Sequence, residues 1–218
     1  MLKYGKNKKF NPAVLHRLNI DRQTIGQIPD GSAVLDIGCA TGFMGDYLKR
    51  KKDCRVVGIE IGREEAREAL KVLDRVLVGD VEDGRTLNKI TEKFDVIIAS
   101  AIIEHLKDPW RFLREIKKYL KKDGFIIVTT SNITHWATRM NMVRGKFEYQ
   151  DYGVLDNTHL RFFTTHTFSQ LLKDSGYKVD KFLIDPVGGG YPKVSFLMSK
   201  LFPNLFAYQM LIRAVPKK

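Results

Sequence analysis

The feature that most constrains this chain is an alternation. Short apolar runs at 33–37, 55–59, 76–78, 94–100 and 125–130 are separated by segments of helical pattern at 42–51, 63–73 and 109–120. Several of the runs are rich in Val and Ile with no polar residue at every second position, which is the pattern of strands covered on both faces. Strand and helix taking turns is the signature of βαβ units, so a parallel sheet with helices on its faces is expected. Residues 11–28 read as a leading helix ending at Pro29, Asp30 and Gly31. The last of these helices is expected to run over 108–124, opened by Asp108 and Pro109 and closed by Lys121, Lys122, Asp123 and Gly124. Beyond it, 132–143 looks helical, 145–157 is aromatic and loop-like, 168–174 is helical and 177–184 a strand. Gly188, Gly189 and Gly190 read as a hinge before a last strand at 206–215, and 131–163 as a lid-like insertion over the site.

The chain has 218 residues, enough for one α/β domain, and shows no internal repeat or second core, so a single domain over 1–218 is expected. The net charge of +12 could favour nucleic acid or an anionic surface. Much of it lies in short runs such as Lys49 to Lys52 and Lys117 with Lys118, where cations face the negative ends of helices; these are expected to be solvated helix ends. The two cysteines, Cys39 and Cys54, sit beside apolar runs and read as buried reduced thiols. Residues 1–10 are basic and polar with no apolar stretch behind them, and 194–212 is broken by Lys200, Pro203, Asn204 and Gln209. Neither is expected to be a signal or a membrane span, and a cytoplasmic location follows as the expectation. Nothing in the sequence specifies an oligomeric state.

Chemistry concentrates where the first run meets its helix, at Asp36-Ile37-Gly38-Cys39-Ala40-Thr41-Gly42. Glycines there permit positive backbone dihedrals and close ligand approach, and the helix that follows offers unpaired amides. The spacing misses the Gly-x-Gly-x-x-Gly of dinucleotide sites, and no lysine followed by Ser or Thr closes it as a phosphate loop. Glu60 and Asp80 end the second and third runs. Three acids at three successive strand ends face the crevice in which parallel sheets bind ligands.

The run 36–42 resembles the first motif of class I S-adenosylmethionine-dependent methyltransferases, with Ala40 in place of the middle glycine. The resemblance implies a Rossmann-like three-layer sandwich, with a mostly parallel seven-stranded sheet and an antiparallel last strand. It implies S-adenosylmethionine as cofactor, its methionine part passing over Gly38, Ala40 and Gly42. Asp36 would orient its amino group, Glu60 both ribose hydroxyls and Asp80 the adenine amino group, with Ile61, Val81 and Ser100 completing the cofactor site. The segments 100–109 and 156–164 resemble a small-molecule branch that includes ubiquinone-biosynthesis and glycan-sugar O-methyltransferases.

Methyl transfer from a sulfonium is an in-line displacement, helped at a hydroxyl acceptor by a general base. His105 and His159 are the candidate bases; each has a structural alternative, His105 in capping local backbone and His159 in anchoring the lid to Asp156. Glu104, Arg161 and Tyr152 are candidate substrate contacts, Arg161 because a guanidinium can hold an acidic group bidentately. Trp136, Tyr149, Tyr152, Phe162 and Phe163 could stack on a flat or sugar-like acceptor beneath a lid. Some relatives bind a divalent metal through a Glu-x-x-Glu-His pattern; here Ala101 takes the first glutamate position, and no required metal is expected. The leading expectation is therefore a small-molecule O-methyltransferase. An RNA methyltransferase is the alternative raised by the charge, although Ser100-Ala101 stands where an Asp or Asn followed by two prolines marks base methylation. A cofactor-binding protein without catalysis is the third.

Overall fold

A computed structural model describes residues 10–186 and 192–217. Its centre is a seven-stranded sheet built from β1 (Ala33–Ile37), β2 (Arg55–Glu60), β3 (Arg75–Val78), β4 (Phe94–Ser100), β5 (Leu120–Ser131), β6 (Tyr177–Asp185) and β7 (Gln209–Pro216). The spatial order is β3-β2-β1-β4-β5-β7-β6. The first five strands are parallel, and β7 runs antiparallel to both β5 and β6. The helices are α1 (Ile20–Gly26), α2 (Phe43–Lys52), α3 (Arg63–Leu70), α4 (Gly84–Leu87), α5 (Pro109–Ile116), α6 (Trp136–Val143), α7 (Thr165–Asp174), α8 (Pro192–Met198) and α9 (Pro203–Phe206).

The strand period of two divides the apolar residues between two cores. Val34, Val56, Val96 and Ile98 point to one face and pack with Ile20 and Ile25 of α1, Leu48 of α2 and Ala69 of α3. Leu35, Ile37, Val57, Ile59 and Ile97 point to the other, against Leu87, then Phe112, Leu113 and Ile116 of α5 and Phe168, Leu171 and Leu172 of α7. Helix, sheet and helix form the three expected layers.

Three sequence expectations are corrected. The helix expected over 108–124 ends at Ile116, is followed by a 3-10 turn over Lys117–Tyr119, and gives way to β5. Leu120 pairs with Phe94, and a Cβ on Gly124 would lie 2.9 Å from the Phe94 carbonyl oxygen. Gly124 thus marks two strands approaching closely at a register shift, not a helix terminus. The expected leading helix is two pieces, a 3-10 turn at Pro12–Val14 and α1. The cause is a second asparagine cap: the Asn19 side chain accepts hydrogen bonds from the Asp21 and Arg22 amides and restarts the helix there. In the insertion the helix begins only at Trp136, capped by His135. The hinge expected at 188–190 lies outside the described residues.

The lysine runs behave as solvated ends in part, and several are paired: Lys49 with Asp74, Arg50 with Asp46 and Lys52 with Asp30, at 2.9, 2.7 and 2.8 Å. Cys39 and Cys54 are buried free thiols. Among the described residues no helix is long and apolar enough to cross a membrane.

Candidate active site

The chain leaves β1 to build β2 and β3 on one side and returns to build β4 and β5 on the other, so β1 and β4 flank the point where strand order reverses. A crevice opens there, outside the carboxyl ends of the strands. Gly38, Ala40 and Gly42 all take left-handed backbone angles, with φ of 74°, 46° and 78°. Side-chain space is scarce as well: a Cβ on Gly42 would meet Val72 and the backbone of Ala69 at 3.0 and 3.1 Å. Ala40 carries its Cβ in a conformation that costs a non-glycine residue about 1 kcal/mol or more. The loop keeps that shape through Glu60, whose Oε2 accepts from the Ala40 amide at 2.8 Å while Oε1 accepts from the Gly62 amide at 2.9 Å. The ribose candidate is therefore already oriented by two backbone donors.

Asp36 ends up buried at 4% exposure. Burial raises its carboxyl to about pH 7, with the negative charges of Glu60 and Asp21 pushing the same way. Asp21 on α1 is itself raised to about 6 by burial and by Asp185. Asp36 thus feels two neighbouring carboxylates, an arrangement that attracts a cationic group. Sequence reading missed Asp21; no motif surrounds it, and only the docking of α1 brings it there.

Further along, Asp80 and Val81 line a cavity of about 350 Å³ with Glu82, Lys107, Asp108 and Arg111. Asp80 Oδ1 accepts from the Glu82 amide at 2.8 Å, and the Glu82 carboxylate takes the Lys107 and Asp108 amides at 3.1 and 3.0 Å. Glu82, also missed from sequence, therefore clamps the segment after β3 to the start of α5. Val81 is buried, while Ile61 sits at the rim with 67% exposure. Ser100 lies at the end of β4 and shares a 2.9 Å hydrogen bond with the Thr129 hydroxyl.

On the other side of the crevice, Ala101 turns the chain out of β4 with φ of 49°. The 3-10 turn Ile103–His105 follows and carries both remaining candidates of that segment. Glu104 is 2% exposed, and burial raises its carboxyl to about 7. Its backbone carbonyl accepts from the Leu160 and Arg161 amides at 2.8 and 3.0 Å, which seats the insertion against the strand end. The His105 and His159 rings consequently meet edge to face with centroids 4.8 Å apart. His105 Nδ1 lies 3.1 Å from the Thr158 hydroxyl and 3.3 Å from the Thr158 carbonyl; His159 Nδ1 lies 3.1 Å from the Val154 carbonyl.

Among the described residues, Glu104, His105 and His159 are the group whose ligand atoms, all within 4.8 Å of one another, could hold a metal ion. One carboxylate and two imidazoles suit a divalent transition metal with open positions. Ala101 adds no donor.

The remaining substrate candidates lie further out. Arg161 spends one donor on the Lys107 carbonyl at 2.7 Å and is exposed, so it ties the insertion to the segment before α5. Tyr152 is 76% exposed. The expected aromatic cluster divides: Phe163 belongs to the core, whereas Phe162 stands between His159 and Phe147, which touches Tyr149, with centroids 6.2, 6.1 and 5.6 Å apart. A string of rings thus leads from the paired histidines to the surface. His135 is buried and lowered to about 4 by desolvation, so it stays neutral as a helix cap.

Known proteins show the same framework. A family model described as a methyltransferase domain matches residues 9–181. The ubiquinone biosynthesis O-methyltransferase of Histophilus somni is 31% identical over 148 residues, 62% of this chain and 61% of that protein. An (S)-coclaurine N-methyltransferase of Thalictrum flavum is 34% identical over 110 residues, 47% of this chain and 29% of that protein. The chain therefore spans less than two thirds of these relatives. A methyltransferase described as SAM-dependent from Archaeoglobus fulgidus superposes with a TM-score of 0.63 at 20% identity, covering 88% of this chain and 90% of its own. Magnesium protoporphyrin IX methyltransferase of Synechocystis, solved with bound SAH, gives 0.63 at 16% identity over 99% and 91%. The structural likenesses are those of fold.

Proposed function

This chain belongs to the methyltransferase-domain family, and from that premise we propose that it transfers a methyl group from S-adenosylmethionine to a hydroxyl, or a similar nucleophile, of a small molecule. The observation that carries the reading is the opposition of two sites across one crevice. On one side Asp36, Glu60 and Asp80 end three successive strands, and on the other a pair of histidines and a buried glutamate wait at the end of the next. The relatives act as O- and N-methyltransferases by name, which supports methyl transfer to a small molecule.

The residues divide the work. Asp36, raised to about 7 when no cation is near, is suited to the amino group of the cofactor's methionine part, whose positive charge would return the carboxylate to its ionised form. Glu60 keeps lone pairs for two ribose hydroxyls, and Asp80 and Val81 border the cavity for the adenine. At the acceptor, a hydroxyl proton passes to a histidine as the oxygen forms its bond to the methyl carbon and the carbon–sulfur pair stays with sulfur. Phe162, half-buried beside His159, would help to keep water from the reacting atoms.

Calorimetric titration with S-adenosylhomocysteine tests the donor site, and absence of binding refutes it. Transfer of labelled methyl to a pooled set of small acceptors tests the reaction. Replacing His105 or His159 by Ala is expected to lower kcat by about 10²- to 10⁴-fold, the range for a general base, with the calorimetric affinity for the product cofactor unchanged.

In the leading reading no metal is required. The convergence of Glu104, His105 and His159 favours one variant, in which these three residues would hold a divalent cation that supplies Lewis acidity to the acceptor oxygen. Turnover that survives exhaustive chelation supports the metal-free form; loss restored by one divalent ion supports the other. A cytoplasmic location belongs to the same proposal, supported by two buried cysteines left as thiols, and cell fractionation tests it.

A further inference from the structure

Hydrogen-bond direction around the paired rings goes beyond naming them. A carbonyl oxygen only accepts, so the Nδ1 atoms facing the Val154 carbonyl from His159 and the Thr158 carbonyl from His105 must each carry the proton. The Thr158 hydroxyl gives the same answer independently. It donates to Asp156 Oδ1 at 2.6 Å, and the same oxygen takes the Thr158 amide at 2.8 Å. With its proton committed to a carboxylate that is 2% exposed, the hydroxyl can only accept from His105 Nδ1 at 3.1 Å. Three accepting oxygens therefore fix both imidazoles in one tautomer, and in a neutral ring that tautomer leaves Nε2 as the nitrogen without a proton.

We propose that Asp156 and Thr158 are positioning residues that hold His105 in the Nδ1–H tautomer, with the Val154 carbonyl doing the same for His159, so that Nε2 is the basic nitrogen of each neutral ring, the form suited to an acceptor that brings its own proton, an alcohol or phenol in preference to a carboxylate. The functional part rests on the methyl-transfer reading above; the tautomer itself does not. A carboxylate acceptor has no proton to give and sets its own lone pairs against those of the rings. The arrangement also ties catalysis to the lid, because Val154, Asp156 and Thr158 all belong to the insertion while His105 belongs to the strand end. Only an insertion seated on Glu104, through the Leu160 and Arg161 amides, sets the tautomer of a residue more than fifty positions earlier.

The test is nitrogen NMR of the full chain labelled at histidine, without cofactor, at a pH where the rings are neutral, with His105 and His159 signals assigned by single substitution. Protonated Nδ1 and bare Nε2 at both residues is the expected result. A protonated Nε2 at His105 overturns the proposal whether or not the protein binds S-adenosylmethionine. The second arm is Thr158→Val beside Thr158→Ser. In the valine variant the residue-158 carbonyl remains as the longer, 3.3 Å acceptor, so the His105 signals are expected to show a minor fraction of the other tautomer and kcat to fall about tenfold, the lower end of what partners orienting a functional histidine contribute, with KM for S-adenosylmethionine unchanged. Serine should restore both. Valine leaving both the signals and kcat at parental values overturns the positioning role. If the valine variant does not fold, the parental spectrum alone still decides. Faster transfer to carboxylates than to hydroxyls in the acceptor pool overturns the substrate class.

Discussion

Asp36 links a burial to a measurable pH dependence. Its carboxyl titrates at about 7 in the folded chain against an ordinary 3.8, with burial the first cause. The folded state therefore holds this proton more tightly than the unfolded one. The group contributes its full stabilisation below about pH 4 and loses it as pH climbs through 7. Asp36→Asn stays neutral throughout, so the variant without cofactor is expected to be more stable than the parent at pH 8 by a margin on the order of 4 kcal/mol and no more stable at pH 4. Its affinity for S-adenosylhomocysteine should fall at the same time, and thermal melts at the two pH values with calorimetry at one check the pair of effects. Ala40 supplies a second residue-scale case: at φ of 46° glycine loses nothing to strain, and Ala40→Gly should stabilise the chain by up to about 1 kcal/mol. Gly42→Ala should cost more, about 1–3 kcal/mol, because its Cβ meets backbone; urea titration ranks the two. Neither the pH dependence nor the strain at Ala40 is visible in the motif itself.

At the scale of elements, the strands were legible because a Val- and Ile-rich run covered on both faces has no other use for so many branched side chains. The first four parallel strands fall at or within a residue of where the apolar runs place them, and β5 contains its run but starts five residues earlier. The end of α5 was not legible, since Lys121 to Gly124 satisfies the composition of a helix terminus while the Phe94 carbonyl dictates a strand. Gly124 lacks the left-handed φ of a terminating glycine, so Gly124→Ala is opposed by contact alone: its Cβ at 2.9 Å from a carbonyl is expected to cost about 1–3 kcal/mol, read from the shift in denaturation midpoint. The same limit applies to the site. Asp36, Glu60 and Asp80 announce themselves at strand ends, and His105 and His159 stand in recognisable segments. Asp21, Glu82 and Thr158 matter through contacts between distant segments, and no local pattern encodes a contact of that kind.

At the scale of the whole molecule, the cofactor crevice lies between the two halves of the sheet and is bordered by segments from β1 through to the insertion. Ligand binding should therefore stabilise the entire fold. At a hundredfold excess over Kd, S-adenosylhomocysteine is expected to add about 2.7 kcal/mol, which for a chain of this size raises Tm by about 5–10 °C, in one cooperative transition if both sites share a single domain. A scanning calorimeter showing two transitions, only one of them ligand-sensitive, would speak against that single domain. The sheet order carries a further consequence. β7 is made after β6 and yet sits between β6 and β5. While the chain is emerging from the ribosome, β6 has no strand to pair with, and the flank of β5 stays open until residues beyond 209 arrive to fill the gap. The half of the sheet proposed to bind the cofactor can assemble early; the half on the proposed acceptor side closes last, as a single insertion. Nascent chains stalled before β7 should therefore display an exposed strand edge to chaperones, and stalled-chain protease protection should jump only when β7 has cleared the exit tunnel.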